Sequence, residues 1–530
     1  MSIPQKPKSS HWADVTAFRI IKEKGDKPRY VCASGITPSG TVHIGNFREI
    51  ISVELVVRAL RDLGKDVRFI YSWDEYDVFR KVPKNMPNRE DLETYLRMPI
   101  TMVPDPWGKE ESYARANEKE VEAILPEVGI FPEYIYQAKE YTSCRYAEGI
   151  RRALERRDVI RRILDKYRAE PLPDSWWPVV IFCASCHKDT TTVEHWDGTY
   201  GLSYTCSSCG FKEALDFRRQ GNVKLRWRVD WPMRWREEQV DFEPAGKEHH
   251  SDGGSFDTAK QIVREVYDHE PPVTFKYDFI GIKGQGGKIS SSTGNVISLK
   301  DVLEVYQPEV VRYLFAGTRP DTEFAISFDL DVIKIYEDYD KCERIYFGKE
   351  QVDPKKLERE RRTYEFSQVE RAPASMPLQV PFRHMTTLVQ IYEGDLDALM
   401  AQEFPSVSGE EARRLRRRAQ CAWNWVTTYA PEEFRFSLRV GDESIEDLPV
   451  AHRRVVQRLY HLLADGWDSL DEVKLGEAIY AFCEEEGIAA REFFPSLYRV
   501  LLGKDRGPRA ASFILTVGKE KILTILGRYL

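Results

Sequence analysis

The chain opens with a predicted strand, turn, helix and second strand, an order that constrains the fold more than any other feature. Residues 29–34 form a predicted buried strand, and the turn at 35–40 is rich in Gly, Pro and Ser. Apolar residues then recur every three or four positions up to Gly64, which predicts a helix: Ile50, Val53, Val57, Leu60 and Leu63. Residues 67–71 form the next predicted strand. Strands joined by a helix in this way run parallel.

The second half of this sheet is predicted much later in the chain. Residues 277–282 form a candidate strand, and a glycine-rich stretch runs from 281 to 287. The fold class is therefore α/β, with a Rossmann-type parallel sheet interrupted by a large insertion. Strand patterns fade beyond residue 301, and Pro373, Pro377 and Pro381 mark a linker to an all-α region. The predicted domains are 1–85 (first half), 86–240 (insertion), 241–300 (second half), 301–369 (connecting helical domain) and 370–530 (helical domain).

The composition is that of a globular enzyme without a dominant charge. The 530 residues include 78 Lys and Arg against 85 Asp and Glu, a formal net charge of -7, so any surface that binds a polyanion must be local. No apolar stretch has the length of about 18 residues that a membrane span requires. The polar first 14 residues contain no secretory signal. These features predict a cytoplasmic protein with no membrane partner.

Four of the nine cysteines form two C-x2-C pairs that indicate a structural zinc ion. Cys183 and Cys186 are separated from Cys206 and Cys209 by 19 residues, the spacing of a zinc ribbon, here predicted at about 178–215. Four thiolates leave no open position for catalysis, and they already fill the site that His187 and His195 would otherwise enter. The alternative is that the pairs are redox-active or simply buried thiols.

The turn and helix start at residues 35–46 suit a bound phosphate. His43 lies one turn into a helix at the carboxyl edge of the sheet, where free N–H groups and the helix dipole favour an anion. His43 and Asn46 would hydrogen-bond a triphosphate, and Gly45 would let a nucleotide approach the backbone. A later segment, Lys288 to Asn295, places a lysine before Ser290, Ser291 and Ser292 in a loop that can close on the β- and γ-phosphates.

These two segments resemble the signatures of class I aminoacyl-tRNA synthetases. Residues 43–46 are similar to H-I-G-H, with Asn46 in place of the second histidine, and residues 288–292 to K-M-S-K-S, with Ser291 in place of the second lysine. Over most of the first 300 residues the chain resembles class I lysyl-tRNA synthetases of the archaeal and spirochaetal type. The blocks that carry this resemblance are residues 35–49, 73–77, 227–235 and 241–249.

The resemblance implies an enzyme that activates L-lysine with ATP and Mg2+ and transfers it to tRNA(Lys), the ribose 2′-hydroxyl attacking first. Catalytic roles would fall to His43, Asn46, Lys288, Ser290, Ser291 and Ser292. ATP would contact Pro38, Ser39, Gly40, Thr41, His43, Gly45, Asn46, Gly246, Glu248 and Lys288. Lysine would contact Gly35, Thr37, Trp227, Trp231, His249 and Tyr277. The helical C-terminal region would bind the anticodon.

The residues themselves offer a carboxylate site for the lysine ammonium. Asp74, Glu75 and Asp77 follow the second strand at the carboxyl edge of the sheet, where ligands bind in open α/β folds. The alternative is that these carboxylates pair with Arg80 or Lys81. Likewise, tryptophans at four-residue spacing, such as Trp227 and Trp231, are more typical of a core than of a pocket.

Two basic clusters are candidates for tRNA contacts. A predicted helix at 146–168 carries Arg151 and Arg156, and the C-terminal region carries Arg413 and Arg417. A solvated helix face is an equal alternative for the first cluster.

Three other functions stay open on the sequence alone. A synthetase for glutamate would need an arginine near residues 74 and 75, and one for cysteine would need a zinc with an open position. A small-molecule nucleotidyltransferase would need neither the ribbon nor the helical tail. A non-catalytic zinc-ribbon RNA-binding protein would leave both phosphate signatures unexplained.

Overall fold

The computed structural model describes residues 6–83, 86–284, 296–441 and 447–530. The chain divides into two compact units. The first comprises residues 1–303, 308–326 and 341–374; the second comprises 304–307, 327–340 and 375–530.

The strands, in chain order, are β1 (Arg29–Ile36), β2 (Asp66–Trp73), β3 (Glu133–Tyr136), β4 (Val179–Ile181), β5 (Thr191–Trp196), β6 (Gly201–Cys206), β7 (Lys212–Asp216), β8 (Val223–Leu225), β9 (Ala245–Gly246), β10 (Lys276–Tyr277), β11 (Ile280–Ile282) and β12 (Phe324–Ile326). The helices up to the middle of the chain are α1 (Trp12–Lys24), α2 (Ile44–Asp62), α3 (Arg89–Glu93), α4 (Tyr113–Ile124), α5 (Gln137–Thr142), α6 (Ala147–Glu155), α7 (Arg157–Asp165), α8 (Trp227–Glu237), α9 (Ser255–Tyr267), α10 (Leu299–Val305) and α11 (Pro308–Gly317). The later helices are α12 (Asp331–Tyr346), α13 (Pro354–Ser367), α14 (Phe382–Ile391), α15 (Leu396–Glu403), α16 (Gly409–Thr428), α17 (Val450–Gly466), α18 (Glu472–Glu485), α19 (Ala490–Leu502), α20 (Ala510–Val517) and α21 (Lys519–Leu526).

The predicted β-α-β opening is confirmed. β1 and β2 are parallel, in register from Arg29 opposite Asp66 to Ile36 opposite Trp73. The apolar face of α2 is buried, and the helix is followed by Gly64, whose φ of 74° suits the left-handed turn that starts the chain back toward β2.

The second half of the sheet adjoins β1, as the sequence predicted. Phe242 bridges Cys32 of β1 on one side and Val273 on the other, both in parallel orientation. The strand predicted at 277–282 is instead two short strands: β10 pairs with β9, and β11 pairs with β12. On the far edge, β3 pairs parallel with β2, so a strand of the sheet lies inside the range predicted as the insertion.

The helix predicted at 146–168 is in fact two helices. α6 ends and α7 begins at Arg156, whose φ of -100° and ψ of 21° depart from helical values. The side chain of Arg157 binds the backbone carbonyl of Trp176 at 2.7 Å, which holds the start of α7 against the following loop.

Between these helices and α8 lies the region with the two cysteine pairs. β5, β6 and β7 form an antiparallel sheet, and β4 pairs antiparallel with β8. The described residues of the second unit contain helices and no strand, in agreement with the predicted all-α region, and α17 to α21 enclose its apolar core. Within the described ranges no helix has both the length and the apolar character needed to cross a membrane.

Candidate active site

The start of α2 holds His43 and Asn46 together at the carboxyl edge of the sheet. The backbone N–H of His43 donates to Oδ1 of Asn46 at 3.1 Å. Asn46 therefore caps the first turn of the helix with its oxygen, and its side-chain N–H groups are the ones left to reach a ligand. A Cβ at Gly45 would lie 2.9 Å from ring atoms of His43, so glycine here makes room for the imidazole.

A cavity of about 580 Å³ opens over this helix start and is called here the larger cavity. Of the residues predicted to bind ATP or lysine, its wall contains Gly35, Thr37, Ser39, His43, Gly45, Asn46, Glu248 and Tyr277. Pro38, Gly40 and Thr41 lie in the same turn but outside the wall. Gly246 is close to the cavity because a Cβ there would lie 2.7 Å from the Glu248 carboxylate. Lys288, Ser290, Ser291 and Ser292 lie outside the described residues.

A second cavity of about 80 Å³, called here the smaller cavity, shares Gly35 and Glu49 with the larger one. Its wall brings together the predicted residues Gly35, Asp74, Trp227, Trp231 and His249. It also contains three charged residues that the sequence analysis did not identify: Glu49, Arg234 and Glu243.

Glu49 lies on α2 and faces the sheet. Its carboxylate accepts hydrogen bonds from the Ser34 hydroxyl at 2.8 Å, the Gly35 N–H at 3.1 Å and the Tyr277 hydroxyl at 2.5 Å. Burial raises its pKa, and these three donors act against the rise. The only sequence signal for this role was a glutamate within the conspicuous 35–49 block, since a lone Glu in an amphipathic helix normally faces solvent.

Asp74 is held in a buried ion pair with Arg234. The two side chains meet at 2.6 Å and 3.3 Å, and burial raises the pKa of Asp74 while Arg234 lowers it. Asp77 pairs with Lys224 at 2.8 Å and accepts a hydrogen bond from Thr37 at 3.2 Å. The alternative that these carboxylates are paired is thus correct, but the partners are Arg234 and Lys224 and not Arg80 or Lys81.

Glu75, by contrast, points away from both cavities. Its carboxylate accepts the backbone N–H groups of Gln137 at 3.0 Å and Ala138 at 2.9 Å, at the start of α5. Burial raises its pKa to about 8. The structure therefore gives Glu75 a helix-capping role, and not the predicted position beside a lysine ligand.

The tryptophans of α8 serve both the core and the smaller cavity. Trp227 stacks on Trp231 with ring centroids 5.0 Å apart and planes at 16°. The indole N–H groups of Trp231 and Trp235 donate to the two oxygens of Glu243 at 3.0 Å and 2.6 Å. Burial raises the pKa of Glu243 to about 7, although both indole donors lower it.

The four cysteines converge in an arrangement that could hold a metal ion. Their Sγ atoms all lie within 4.8 Å of one another, and the pairs Cys183 with Cys209 and Cys186 with Cys206 are each 3.6 Å apart. Four sulfurs at about 2.3 Å from a tetrahedral zinc are about 3.8 Å apart, so the spacing suits this ion. A disulfide is excluded, because bonded sulfurs are about 2.05 Å apart.

Each cysteine pair is closed by the same backbone turn. The N–H of His187 donates to the carbonyl of Cys183 at 2.8 Å, and that of Gly210 to the carbonyl of Cys206 at 2.9 Å. Both residues that follow the pairs are left-handed, with φ of 60° at His187 and 74° at Gly210. Glycine adopts this conformation without strain, and the first pair adopts it with a histidine.

The arginines predicted to contact tRNA have different environments. Arg151 is paired with Glu148 and Glu155, whereas Arg156 is exposed between α6 and α7. Arg413 is exposed and paired with Glu410, and Arg417 is half-buried.

The parallel sheet, the H-I-G-N sequence at the start of α2 and the cavity above it define a class I aminoacyl-tRNA synthetase. Within this class the chain belongs to the family of tRNA synthetases class I (K), whose sequence profile matches residues 10–370. It is 52% identical to a lysine–tRNA ligase of Treponema pallidum (strain Nichols), over 100% of both chains. It is 44% identical to a lysine–tRNA ligase of Thermococcus kodakarensis, covering 97% of this chain and 98% of the other.

Solved structures similar to this chain are also aminoacyl-tRNA synthetases. A glutamate tRNA ligase from Elizabethkingia meningosepticum covers 94% of this chain and 99% of its own at 15% identity, with a TM-score of 0.42. A methionyl-tRNA synthetase from Mycobacterium tuberculosis covers 76% and 89% at 12% identity, with a TM-score of 0.36.

Proposed function

We propose that the chain is a lysine–tRNA ligase that activates L-lysine with ATP and transfers it to the 3′ end of tRNA(Lys). The observation that carries this proposal is the pair of cavities that share Gly35 and Glu49. The larger one suits a nucleotide, and the smaller one suits a cationic side chain, so the two reactants would meet at the shared wall.

ATP would bind in the larger cavity with its phosphates at the start of α2. There the helix dipole, the His43 ring and the Asn46 side chain supply positive potential and hydrogen-bond donors. Glu248, which is also in the wall of this cavity, would accept hydrogen bonds from the ribose. Lys288 and Ser290 to Ser292 would close over the leaving pyrophosphate, as their resemblance to K-M-S-K-S implies. Mg2+ bound with ATP would neutralise part of the phosphate charge.

The lysine side chain would extend into the smaller cavity. Glu49, Asp74 and Glu243 bring three carboxylates to its wall, and Arg234 is the only Lys or Arg among the described residues there. Because Arg234 is already bound to Asp74, the remaining charge is negative and favours an ammonium group. Trp227 and Trp231 offer flat apolar surface to the four-carbon stem. Because Arg234 is already paired with Asp74, it is not available to bind the side-chain carboxylate of a glutamate substrate.

Catalysis then consists of positioning and charge neutralisation. The α-carboxylate of lysine, placed near Gly35, attacks the α-phosphate of ATP while His43 stabilises the charge that develops on the phosphate oxygens. The ribose of the terminal adenosine of tRNA then attacks the adenylate. No protein nucleophile is needed in either step.

The four cysteines would hold a structural zinc ion, and the all-α region at 370–530 would bind the anticodon. Support for zinc is the convergence of four Sγ atoms that all lie within 4.8 Å of one another. Metal analysis of purified protein should give about one equivalent of zinc per chain, and loss of all four thiolates should abolish it.

The function is tested by measuring tRNA charging with ATP, Mg2+ and total tRNA for each of the twenty amino acids. Charging with lysine alone is expected. Charging with another amino acid would retain the class of enzyme and reject the lysine pocket.

A further inference from the structure

Four exposed basic side chains lie together beside the larger cavity. They are Arg80, Lys81, Arg97 and Arg226, and we refer to them as the rim cluster. Arg80 and Lys81 are consecutive, whereas Arg97 and Arg226 lie elsewhere in the sequence, so the four residues do not form one basic run. Arg80 and Lys81 are in the wall of the larger cavity, whereas Arg97 and Arg226 lie outside it.

The three arginines of the rim cluster lie near a single carboxylate, Asp189. Arg97 binds its two oxygens at 2.7 Å and 2.9 Å. Burial raises the pKa of Asp189, and the nearby charges of Arg97 and Arg80 act against this rise. Burial lowers the pKa of Arg226, Asp189 opposes this effect, and Arg80 adds to it. Arg80 thus lies close enough to both groups to link the cavity wall to the outer arginines.

The rim cluster carries more positive charge than its one carboxylate, Asp189, can neutralise. Arg97 is paired with Asp189, and Asp77, the other carboxylate on which Arg80 acts, is already paired with Lys224. The side chains of Arg80 and Lys81 make no hydrogen bond or ion pair with any described residue. Four basic residues of α6 and α7 differ in this respect, because Arg151, Arg152, Arg161 and Arg162 each have a carboxylate partner. An uncompensated, exposed group of this kind favours an anionic ligand.

The extent of the rim cluster favours a chain of phosphates over a single triphosphate. A nucleotide held inside the larger cavity would contact only Arg80 and Lys81, and would leave Arg97 and Arg226 unused. A single-stranded RNA end that enters the cavity would pass all four. Guanidinium groups bind successive phosphates well because they are permanently charged and donate several hydrogen bonds.

We infer that the rim cluster binds backbone phosphates of the single-stranded 3′ end of tRNA and guides its terminal adenosine into the larger cavity. This inference rests on the proposed function and identifies the surface through which that substrate enters.

The test compares the double variant Arg80→Ala/Lys81→Ala with the wild-type chain. Its matched control is Lys22→Ala/Arg89→Ala, which removes two exposed cations outside the cavity wall that also have no partner among the described residues. Dissociation constants are measured for tRNA(Lys), for the same tRNA without its single-stranded 3′ end, and for ATP. Lysine charging by the wild-type chain is measured in parallel.

We expect the Arg80/Lys81 variant to bind intact tRNA about tenfold more weakly near 0.1 M salt, with a salt dependence shallower by about 1.4 in log–log slope. The shortened tRNA should bind the variant and the wild type equally, and ATP affinity should fall by less than the affinity for intact tRNA, because Arg80 and Lys81 are only two of the residues in the wall of the larger cavity. The control variant should match the wild type throughout.

Three results would overturn the inference: unchanged affinity for intact tRNA, an equal loss with the shortened tRNA, or a larger loss of affinity for ATP than for intact tRNA. The third result would indicate that Arg80 and Lys81 bind the nucleotide and not the tRNA. If the wild type does not charge tRNA with lysine, the proposed function fails. If it does so while the variant binds tRNA normally, only the inference fails.

Discussion

The hydroxyl of Tyr277 donates a hydrogen bond to the carboxylate of Glu49 at 2.5 Å, and this contact ties together the two halves of an interrupted sheet. Glu49 lies on the helix that follows the first strand, and Tyr277 lies in β10, more than 200 residues later. The carboxylate is also part of the wall that both cavities share. The substrate pocket is therefore complete only when both halves of the sheet have assembled.

Replacing Glu49 with Gln should weaken lysine binding far more than ATP binding. The substitution keeps the shape but removes the charge, and a buried charged hydrogen bond is worth about 1.5–3 kcal/mol. The dissociation constant for lysine should rise about 10- to 100-fold. Isothermal titration with each substrate measures the effect.

The control for this prediction is Tyr277→Phe, which removes one hydrogen bond and keeps the carboxylate. It should have a smaller effect on lysine than Glu49→Gln. Equal losses of lysine and ATP affinity in Glu49→Gln would mean that the residue only supports the fold.

Lysine binding should strengthen as the pH rises from 6 to 8. The pKa of Glu243 is raised to about 7 by burial, so below this pH the carboxyl is protonated and neutral. A bound ammonium favours the ionised form, and lysine binding therefore releases a proton in this range. Titrations in buffers of different ionisation enthalpy detect that proton.

Glu243→Gln should flatten this pH profile while the affinity at pH 6 changes little. The other carboxylates of the smaller cavity, Glu49 and Asp74, remain in this variant and serve as internal controls. If the lysine affinity of Glu243→Gln still rises with pH as steeply as in the wild type, the group that titrates would be Glu49 or Asp74.

The ion pair between Asp74 and Arg234 should show strong coupling in a double-mutant cycle. Asp74→Asn or Arg234→Met alone leaves a buried charge without its partner, which costs about 3–5 kcal/mol. The combined variant removes both charges and should be more stable than the sum of the single effects predicts. Urea unfolding followed by tryptophan fluorescence gives the three stabilities.

The exposed pair Arg29 and Asp66, whose charged groups are 3.3 Å apart, provides the comparison. Arg29→Ala should cost at most about 1 kcal/mol, as is usual for surface ion pairs. Additive losses for Asp74 and Arg234 would show that the two charges do not depend on each other.

The two left-handed residues after the cysteine pairs should respond in opposite ways to substitution. His187→Gly should stabilise the ribbon by up to about 1 kcal/mol, because a side chain is strained at positive φ and glycine is not. Gly210→Ala should destabilise it by a similar amount. The rate of zinc loss to a chelator should fall in the first variant and rise in the second.

A faster loss of metal in His187→Gly would contradict this account and would give the imidazole a role in holding the ion. The control is His195→Ala. This substitution removes a second histidine near the cysteines, on β5, and should leave the rate of zinc loss unchanged.

Local patterns in the sequence were sufficient for the scaffold. The periodic apolar residues of α2 and the flanking strands predicted the β-α-β unit, and cysteine spacing predicted a four-thiolate site because its ligands are contributed by two short turns. The break at Arg156 was missed, since the apolar periodicity continues across it and the contact of Arg157 with a later loop has no local sequence signal.

Long-range contacts decided the details of the pocket. Asp74 was correctly placed at the sheet edge, but its partner Arg234 lies 160 residues away in sequence, and no local pattern links them. Glu49 and Glu243 were missed for the same reason, because each became recognisable only through donors from other elements. Glu75 also follows β2 at the sheet edge, but its carboxylate binds a backbone N–H group at the start of α5 instead.

The wall shared by the two cavities also has a consequence for inhibitors. At Gly35 a Cβ would lie 2.9 Å from the Ser72 carbonyl, so side chains cannot easily be introduced there to separate the two spaces. A compound that joins an adenosine-like group to a lysine-like cation would occupy both spaces across this gap, with the second group held at high effective concentration once the first is bound. A resistance substitution at position 35 would strain the sheet. Resistance would therefore have to arise from substitutions at other residues of the cavity walls.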